Sequence, residues 1–378
     1  MDVICTVIAT NYIPQALALM ESARKFHPEM DFCVLIADGT TNQYPPLVGA
    51  RVFIPDELGI DPKIIQEMFS YYDLFELSTA LKPFFLKFLL EDGSETVTFL
   101  DPDTVLYGKI TEALAHARTH EAVLVPHRIS PCTKLTTECS EFGFLKYGVF
   151  NLGFISVGKK SIPMLEWWAQ RLRWFCTRYQ GDIWFTDQKW IDLVPALFET
   201  KILKHRGYDL APWNIDERLI TTKNNLVFAG DDPLVFIHFS QMSARLAKGL
   251  DTPHWKNQLS GLSQELKLET LSFIEKETES YSHKLVDFGR MNSHWAYNTL
   301  TRSTAQGKSF HHRKRLIARS ISNFSNELSG NQEVLKYSPT FVDRFTTLLE
   351  RSAALNGLRD GLKRDLVKVK MRLNLKGK

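Results

Sequence analysis

Short apolar runs separated by turn residues dominate the first 240 residues. The runs at 3–9 and 32–37 are almost continuously apolar, which is typical of strands buried on both faces of a parallel sheet. Between them, residues 16–26 have apolar positions at helical spacing, and Pro14 suits the first turn of a helix. This strand–helix–strand order predicts a parallel sheet with right-handed crossovers.

Elements of the same kind continue along the chain. Apolar runs predict further strands at 51–55, 97–100, 122–127, 148–158, 202–204 and 234–239. Helical spacing predicts helices over 70–90, 163–179, 186–198, 258–276, 323–336 and 341–370. We therefore expect an α/β fold, with a mostly parallel central sheet flanked by helices over 1–255 and a helical C-terminal region over 256–378.

Phosphate-binding glycine motifs are missing from the sequence. No GxGxxG follows the first strand, and no GxxxxGK[ST] occurs anywhere, so the two commonest backbone cradles for phosphate are absent. Glycines do recur in the run at 148–158, which suggests that another group approaches the backbone of that strand closely.

Two carboxylates follow the strand at 97–100. Asp101 and Asp103 flank Pro102, which donates no backbone hydrogen bond and helps to end the strand. In extended backbone, residues two apart point to the same side, so both carboxylates would converge on one point. Such charges repel each other unless they are neutralised, and a divalent cation that also holds phosphate would neutralise them. An ordinary turn is the alternative, because Asp and Pro are common at strand ends.

His238 lies on the apolar strand at 234–239. Two Asp and one His would form an oxygen-and-imidazole site for Mn²⁺ or Mg²⁺, with positions left for two phosphate oxygens. A lone histidine on such a strand is also commonly a satisfied core or edge residue, and both interpretations stay open.

Charge is unevenly distributed along the chain. The net charge of +3 is too small to indicate nucleic-acid binding over the whole surface. Residues 351–378 nevertheless contain nine Lys or Arg against two Asp, a net charge of +7, on an amphipathic helical pattern. This basic helix is either a solvated face or a peripheral contact with anionic lipid.

The five cysteines are dispersed and form no CxxC pair, which fits neither a zinc site nor a disulfide framework. A reducing compartment is the default for such a pattern. The first apolar run is too short for a signal peptide and lacks a basic flank, and no segment is long and apolar enough to span a bilayer. We expect a cytoplasmic protein, with the basic helix as its only candidate for contact with the inner face of a membrane.

Several motifs in a fixed order resemble those of a known family. The chain is similar to GT-A-fold glycosyltransferases of the glycogenin and lipopolysaccharide galactosyltransferase family (family 8), in particular to bacterial surface-glycan enzymes. The resemblance covers residues 1 to about 245. The blocks that carry it are Ala9-Thr10-Asn11-Tyr12, Phe99-Leu100-Asp101-Pro102-Asp103, Val149-Phe150-Asn151-Leu152-Gly153, Thr186-Asp187-Gln188, 207–214 and Ile237-His238-Phe239-Ser240.

The resemblance implies a GT-A fold and a hexosyltransferase that moves a sugar, with retention, from a nucleotide donor such as a UDP-sugar to a hydroxyl. The acceptor would be a glycan or lipid-linked glycan in cell-surface polysaccharide synthesis. Asp101, Asp103 and His238 would hold Mn²⁺ or Mg²⁺, and Asp187 and Gln188 would be the catalytic pair. The implied nucleotide-sugar site comprises Thr10, Asn11, Tyr12, Asp38, Lys82, Asp101, Asn151 and Gly153, and the implied acceptor site comprises Trp213 and Asn214.

Some of these residues also have ordinary structural explanations. Asp187 suits the first turn of a helix, where the dipole favours an acid. Asn151 would satisfy a backbone turn, and Lys82 would be a helix-surface lysine. The family pattern His-x-x-Gly followed by Lys-Pro-Trp is also absent, because residues 239–242 lack the glycine and Lys248 is not followed by Pro-Trp.

A second enzyme class fits the same motif. In haloacid-dehalogenase-type phosphatases, the first Asp of D-x-D-x-[TV] is phosphorylated and the second acts as acid and base. Asp101 would be that nucleophile, and Asp231-Asp232 would be the second acidic motif. That motif normally lies on the first strand of its fold, whereas here it lies about 100 residues into the chain. A non-catalytic protein that keeps the fold is the third alternative.

Overall fold

The computed structural model describes residues 1–40, 47–132, 140–178, 185–240 and 264–291. Residues Met1–Gly307 form one compact unit, and Lys308–Lys378 form a second one that lies outside the described residues. The helices predicted over 323–336 and 341–370, and with them the basic helix, also lie outside the described residues. The division of the chain at residue 255 stays a prediction.

The bounds of the described elements are as follows. The strands are β1 (Asp2–Ile8), β2 (Asp31–Ile36), β3 (Arg51–Phe53), β4 (Thr96–Leu100), β5 (Thr104–Leu106), β6 (Ala122–Pro126), β7 (Phe150–Gly158), β8 (Thr200–Ile202), β9 (Ile220–Lys223), β10 (Leu226–Ala229), β11 (Asp232–Pro233) and β12 (Phe236–His238). The α-helices are α1 (Ile13–Phe26), α2 (Pro62–Tyr71), α3 (Leu74–Ala80), α4 (Lys82–Glu91), α5 (Thr111–Ala117), α6 (Glu141–Tyr147), α7 (Ile162–Leu172), α8 (Gln188–Ile191), α9 (Val194–Leu197) and α10 (Gln264–Met291).

A seven-stranded sheet lies at the centre, in the order β3-β2-β1-β4-β7-β6-β8. β1 pairs in parallel with β2 and β4, β2 with β3, and β6 with β8, whereas β7 is antiparallel to β4 and β6. The predicted mostly parallel sheet flanked by helices is therefore confirmed. Because β7 runs the other way, its beginning lies at the edge where β1, β2, β4 and β6 end.

Both faces of this sheet are covered by helices. Alternate strand residues, among them Ile4 and Phe32, pack with side chains of α1 and α5 in one cluster. The neighbouring strand positions Cys5, Val97 and Phe99 are equally buried, and α3 and α4 pack against β1 and β4. Burial on both faces explains why these strands are continuous apolar runs rather than alternating ones.

The helical region predicted over 70–90 is confirmed, and it is divided among the end of α2, α3 and α4. Asp73 and Glu76 form a capping box that starts α3: Asp73 Oδ1 accepts from Glu76 N at 2.9 Å, and Glu76 Oε2 accepts from Asp73 N at 3.0 Å. Pro83 then lies in the first turn of α4, where its missing N–H costs nothing. Both signals are visible in the sequence.

The two predicted helices that follow the central strands are shorter than expected. The helix expected over 163–179 ends at Leu172 as α7. The helix expected over 186–198 is divided into α8 and α9, with Pro195 in the first turn of α9. A proline favours a helix start at its own position and interrupts a helix that comes before it.

A three-stranded antiparallel sheet of β9, β10 and β11 was not predicted. Asn224 and Asn225, between β9 and β10, have φ values of +51° and +62°, as a two-residue type I′ hairpin turn requires. The Asn-Asn pair between two short runs that contain β-branched or aromatic residues is the signal that would have found it.

Helix α10 extends the helix predicted over 258–276, of which residues 258–263 lie outside the described residues. It packs against α1 and β9, and Ile274 and Tyr281 are buried in the cluster that it completes. No helix within the described ranges combines the length and the apolar character needed to cross a membrane.

His27 gives the fold a specific dependence on pH. It is buried at the end of α1, where its Nε2 accepts a hydrogen bond from Ile110 N at 2.9 Å, which requires a neutral ring. Burial lowers the pKa of His27, and the positive charge of Lys109 lowers it further. The carboxylates of Glu29, at 3.2 Å, and of Asp2 raise the pKa but do not outweigh burial. A lowered folded-state pKa means that the stabilisation is present above the unfolded pKa of about 6.5 and is lost as pH falls through the folded pKa.

We therefore expect His27→Gln, whose amide oxygen accepts the same bond, to lose less stability than the wild type as pH falls below about 6.5. Protonated His27 leaves the Ile110 N–H without an acceptor, at a cost of about 1–3 kcal/mol. Urea denaturation at a series of pH values measures the difference, with His283→Gln, at an exposed position of α10, as the control. Identical pH profiles for His27→Gln and the wild type would contradict the assignment.

Candidate functional site

Polar residues gather at the edge of the sheet where β1, β2 and β4 end. Thr10 follows β1, Asp38 follows β2 and Asp101 follows β4, while Asn151 is the second residue of antiparallel β7. Ligands of open α/β sheets bind beyond the carboxyl ends of the parallel strands. Four of the residues that the sequence singles out therefore share one edge.

Asp101 and Asp103 lie in a tight turn between β4 and β5. Thr104 closes the turn, because its N–H and its hydroxyl donate to Asp101 O at 3.1 and 2.8 Å. Asp101 N–H donates to Gly153 O at 2.8 Å, which anchors the turn on β7. The expected extended backbone is thus wrong, and the turn rather than strand alternation brings the two carboxylates together.

Strand β12 places His238 beside this turn. β12 pairs with β5 so that His238 lies opposite Thr104, and Phe239 N–H donates to Asp103 O at 2.8 Å. Nε2 of His238 lies 3.1 Å from Asp103 Oδ1 and 3.9 Å from Asp101 Oδ2. Among the described residues this is the only group of three or more potential metal ligands whose ligand atoms all lie within 4.8 Å of one another.

The chemistry of this group fits a divalent cation. Two carboxylates and an imidazole suit Mn²⁺ or Mg²⁺. Burial lowers the pKa of His238, but Asp103 and Asp209 outweigh this and raise it well above its ordinary value. Burial opposes ionisation of Asp103, but His238 holds its pKa below the ordinary value, whereas the pKa of Asp101 is raised, chiefly by burial. A protonated His238 thus neutralises part of the negative charge of Asp101 and Asp103, which a bound cation would otherwise neutralise.

Lys82 connects this group to Asp187. It is 4% exposed, and its Nζ lies 2.9 Å from Asp187 Oδ2 and 3.3 Å from Asp101 Oδ1. It also donates to Leu152 O at 2.8 Å and lies 4.4 Å from the centre of the Phe99 ring. Burial works against the charged amine, but the two carboxylates raise the pKa of Lys82 above its ordinary value. The alternative of a helix-surface lysine is therefore wrong.

Thr10 and Asp38 form a buried pair at the ends of β1 and β2. The N–H and the hydroxyl of Thr10 both donate to Asp38 Oδ1 at 2.9 Å. Burial raises the pKa of Asp38, against the effect of these bonds. Asn11 is exposed and Tyr12 is half-buried, and the pKa of Tyr12 is raised by burial and then by Asp103 and Asp101. Tyr12 thus lies within reach of the charges of the Asp101–Asp103 turn.

Gly153 lets His238 approach the backbone of β7. Asn151 is buried and its Oδ1 accepts from Gly153 N at 2.5 Å. A Cβ on Gly153 would lie 2.6 Å from Asn151 Oδ1 and 2.6 Å from His238 Cε1. The close approach that the glycines of this strand suggest is confirmed at Gly153.

Gly153→Ala is therefore expected to displace His238. The overpacked side chain should lower the unfolding free energy by about 1–3 kcal/mol. It should also weaken Mn²⁺ binding at least about tenfold, because a displaced ligand costs about as much affinity as a ligand that has lost its supporting partner. Urea denaturation and calorimetric Mn²⁺ titration measure the two effects. Gly289→Ala is the control, because its added Cβ would meet only Pro14 Cγ at 3.9 Å. Unchanged Mn²⁺ affinity in Gly153→Ala would contradict the packing argument.

Asp187 and Gln188 lie at the start of α8. The Asp187 side chain is buried, makes no capping bond to the helix and is paired with Lys82. Gln188 Nε2 donates to Tyr147 O at 2.9 Å and its Oε1 accepts from Leu152 N at 3.1 Å, so its amide joins the end of α6 to β7. The position of Asp187 at the start of α8 fits the dipole explanation as well, and the catalytic role of the pair stays a prediction.

Trp213 and Asn214 approach the same region from the loop before β9. The Trp213 ring stands perpendicular to His238, with ring centres 5.3 Å apart, and its centre lies 5.4 Å from that of His127. Asn214 is fully buried, donates to His127 O and Asp209 O at 2.9 and 2.8 Å, and accepts from Ala211 N. Their contact with an acceptor stays a prediction.

Two buried residues of this region were not singled out from the sequence. Asp209 Oδ1 lies 3.3 Å from His238 Nδ1, on the side of the ring that faces away from Asp103. Arg218 is fully buried and donates to the carbonyl oxygens of Tyr208, Asp209 and Pro126. Block 207–214 contained Asp209, but no spacing rule connects it with a histidine 29 residues later.

The acidic pair that the phosphatase hypothesis requires lies elsewhere. The Asp231 side chain is 96% exposed and lies 3.7 Å from Arg206 Nη1, and Asp232 Oδ2 accepts from Arg206 N at 2.7 Å. Neither belongs to the group of ligand atoms around Asp101.

No protein-family model matches the chain. Two uncharacterized proteins of Bacillus subtilis (strain 168) are similar to it in sequence. YfnF is 24% identical over 243 residues, which cover 62% of this chain and 80% of YfnF. YfnD is 28% identical over 191 residues, which cover 48% of this chain and 58% of YfnD.

Several solved structures are similar to the chain. The galactosyltransferase LgtC, in complex with donor and acceptor sugar analogs, has a TM-score of 0.41 at 15% identity and covers 68% of this chain and 100% of its own. The WbbM bifunctional glycosyltransferase has a TM-score of 0.39 at 12% identity, and the match covers 71% of this chain and 51% of WbbM. The glycosyltransferase GlyE of Streptococcus pneumoniae TIGR4 has a TM-score of 0.34 at 16% identity, and the match covers 55% of this chain and 47% of GlyE. Because these TM-scores are low, the function proposed below rests on the side chains of this chain.

Proposed function

We propose that the chain is a metal-dependent glycosyltransferase that moves a sugar from a nucleotide donor to a hydroxyl acceptor. The observation that carries this proposal is the convergence of Asp101, Asp103 and His238 at the edge where the Thr10–Asp38 pair also lies. A metal–diphosphate anchor beside a nucleoside pocket is what a nucleotide-sugar donor requires. The isolated position of Asp231-Asp232 favours this function over the phosphatase.

The balance of charge supports a bound dication. Asp101, Asp103 and Asp187 carry three negative charges when ionised, and Lys82, which contacts Asp101 and Asp187, carries one positive charge. With a neutral His238 the net charge of this group is −2, which a divalent cation would balance. Burying unbalanced charge is costly, so a cation would stabilise this edge of the sheet. When bound, the cation would neutralise the charge that develops on a departing diphosphate.

The chain's own residues would bind and orient the two substrates. Asp38, with one oxygen held by Thr10, would accept a hydrogen bond from the nucleoside. Lys82 keeps a fixed positive charge at the donor side and holds Asp187 in place. The Trp213 ring, beside His238, offers an apolar face for an acceptor sugar. Fixed geometry of this kind contributes to catalysis by orienting the reacting groups.

The finer assignments follow the family resemblance. We propose a UDP-sugar as donor, retention at the anomeric carbon with Asp187 and Gln188 beside it, and a glycan or lipid-linked glycan acceptor of the bacterial surface. A cytoplasmic location and membrane contact through the basic helix at 351–378 belong to the same proposal.

A panel of nucleotide sugars tests the function. The purified protein is incubated with each donor and Mn²⁺, and release of nucleoside diphosphate is measured. We expect release from a uridine-linked donor, and thermal stabilisation by Mn²⁺ together with UDP beyond that by Mn²⁺ alone. Hydrolysis of a generic phosphate ester with stabilisation by beryllium fluoride would instead establish the phosphatase, and no response to any of these ligands would establish a non-catalytic protein.

A further inference from the structure

The imidazole of His238 is held between two carboxylates. Its Nε2 faces Asp103 Oδ1 at 3.1 Å, and its Nδ1 faces Asp209 Oδ1 at 3.3 Å. Asp209 is completely buried, and its second carboxylate oxygen has no hydrogen-bond partner within the part of the chain that the structure describes. Within the described residues, this buried carboxylate therefore makes its polar contact with the histidine ring.

The backbone at Asp209 is fixed in an uncommon conformation. Its φ is +59°, in the left-handed region that glycine, asparagine and aspartate adopt more readily than other residues. Asn214 Nδ2 and Arg218 Nη1 donate to its carbonyl oxygen at 2.8 and 3.2 Å and hold it there. Complete burial disfavours a carboxylate at this position, so its presence points to a role for its charge.

Two neighbouring groups are affected by the charge of Asp209 without contacting its carboxylate, because Asp209 raises the pKa of buried Arg218 and of buried His127 against the lowering effect of burial. Arg218 directs its guanidinium to the backbone carbonyls of Tyr208, Asp209 and Pro126 and to the carboxylate of Glu217. His127, the other titratable group nearby, lies 3.1 Å from Val149 O through its own Nδ1 and is stacked on Phe144. Asp209 is thus neither the ion-pair partner of Arg218 nor the hydrogen-bond partner of His127.

We infer that Asp209 is a positioning residue that fixes the tautomer of His238 for metal binding. A carboxylate only accepts, so it selects the ring with hydrogen on Nδ1 and leaves the lone pair of Nε2 directed at the Asp101–Asp103 turn. Outer carboxylates of this kind orient metal-binding histidines and raise their basicity. This inference rests on the metal site of the proposed function.

The position of the ring itself does not depend on Asp209. The perpendicular ring of Trp213 and the bare backbone of Gly153 confine the imidazole on two sides. Replacing the Asp209 carboxylate by an amide should therefore leave the ring in place and remove only the preference for one tautomer. An amide NH₂ that donates to Nδ1 would put the hydrogen on Nε2, which then cannot ligate.

Asp209→Asn tests the inference through metal binding alone. Calorimetric titration of the donor-free protein with Mn²⁺ should give an affinity about 10–100-fold below that of the wild type. Urea denaturation in EDTA should show that the variant is folded, because asparagine suits the positive φ and keeps the bonds that Asn214 and Arg218 donate to the backbone carbonyl. Asp209→Gly, which suits the positive φ, is the second variant and should lose Mn²⁺ affinity to a similar extent.

A matched control and a direct observation of the ring complete the experiment. Asp216→Asn removes a carboxylate that pairs with Arg128 at 2.6 Å in the same loop, and should leave Mn²⁺ affinity unchanged. Long-range ¹⁵N–¹H NMR of the Mg²⁺-loaded wild type should show the His238 proton on Nδ1, which a merely structural aspartate would not determine.

The outcomes separate this inference from the proposed function. Mn²⁺ affinity in both Asp209 variants within about twofold of the wild type, or a proton on Nε2 in the loaded wild type, would overturn the role of Asp209 alone. A wild-type protein that binds Mn²⁺ but releases no nucleoside diphosphate would overturn the glycosyltransferase and leave the role of Asp209 supported by its own variants. A wild type that binds no divalent cation would overturn both.

Discussion

Asp103→Asn should lower donor turnover by at least about 10²–10³-fold while the protein stays folded. The carboxylate of Asp103 is the one nearest to Nε2 of His238, and an amide there cannot carry the charge that holds a dication. The backbone bond from Phe239 N to Asp103 O does not involve the side chain, so the pairing of β12 with β5 survives. The cost in folding is expected to be about 1–3 kcal/mol, for one hydrogen bond to a charged group.

Asp101→Asn should show the same loss of turnover, and excess Mn²⁺ should restore part of it, because the amide oxygen still offers a weak ligand. Asp92→Asn is the matched control, since that carboxylate pairs with Arg51 at 2.6 Å on the surface and should not affect turnover. Initial rates of nucleoside diphosphate release are compared across a Mn²⁺ series. Wild-type rates in both site variants would show that the site does not work through a metal.

Lys82→Met should destabilise the protein by about 3–5 kcal/mol, the largest effect on stability that we expect from a single substitution here. Methionine fills a similar volume but leaves Asp187 buried and Asp101 half-buried without their cation, and Leu152 O without its donor. The loss is therefore that of uncompensated charge rather than of packing. Turnover should fall as well, because Asp187 is no longer held in place.

Lys87→Met on the same helix is the control for that substitution. Lys87 pairs with Glu166 at 2.7 Å and with Glu91 at 3.5 Å on the surface, so its loss should cost less than about 1 kcal/mol. Urea denaturation measures both variants, and the double variant Lys82→Met/Asp187→Leu should recover part of the stability by removing the buried charge. Equal losses of stability for the two lysine variants would contradict the conclusion that Lys82 neutralises buried carboxylates.

Much of the sheet could be predicted from the sequence because its strands are buried on both faces. Continuous apolar runs identified β1, β2, β4, β6 and β7, and the carboxylates at the end of β4 marked the edge where ligands bind. The antiparallel direction of β7 was not predictable in the same way. A buried strand has the same apolar pattern in either direction, and only pairing between distant residues, such as Leu100 with Phe154, determines it.

The contacts within the site were harder to predict for a related reason. Asp101 and Asp103 were expected to converge through extended backbone, whereas a turn closed by Thr104 brings them together. The position of Lys82 depends on two carboxylates 19 and 105 residues further along the chain, and helical spacing alone cannot distinguish it from a surface lysine. Gly153 was the exception, because a glycine within a buried strand directly signals a close approach.

Binding of UDP to the wild-type protein, with and without Mn²⁺, tests most directly whether this edge of the sheet is a metal–diphosphate anchor. Isothermal titration calorimetry is performed once in Mn²⁺ and once in EDTA. We predict that UDP binds in Mn²⁺ and that its affinity in EDTA is at least about tenfold weaker, a difference of about 1.4 kcal/mol or more. Equal affinity in the two conditions, or no binding in Mn²⁺, would contradict the account.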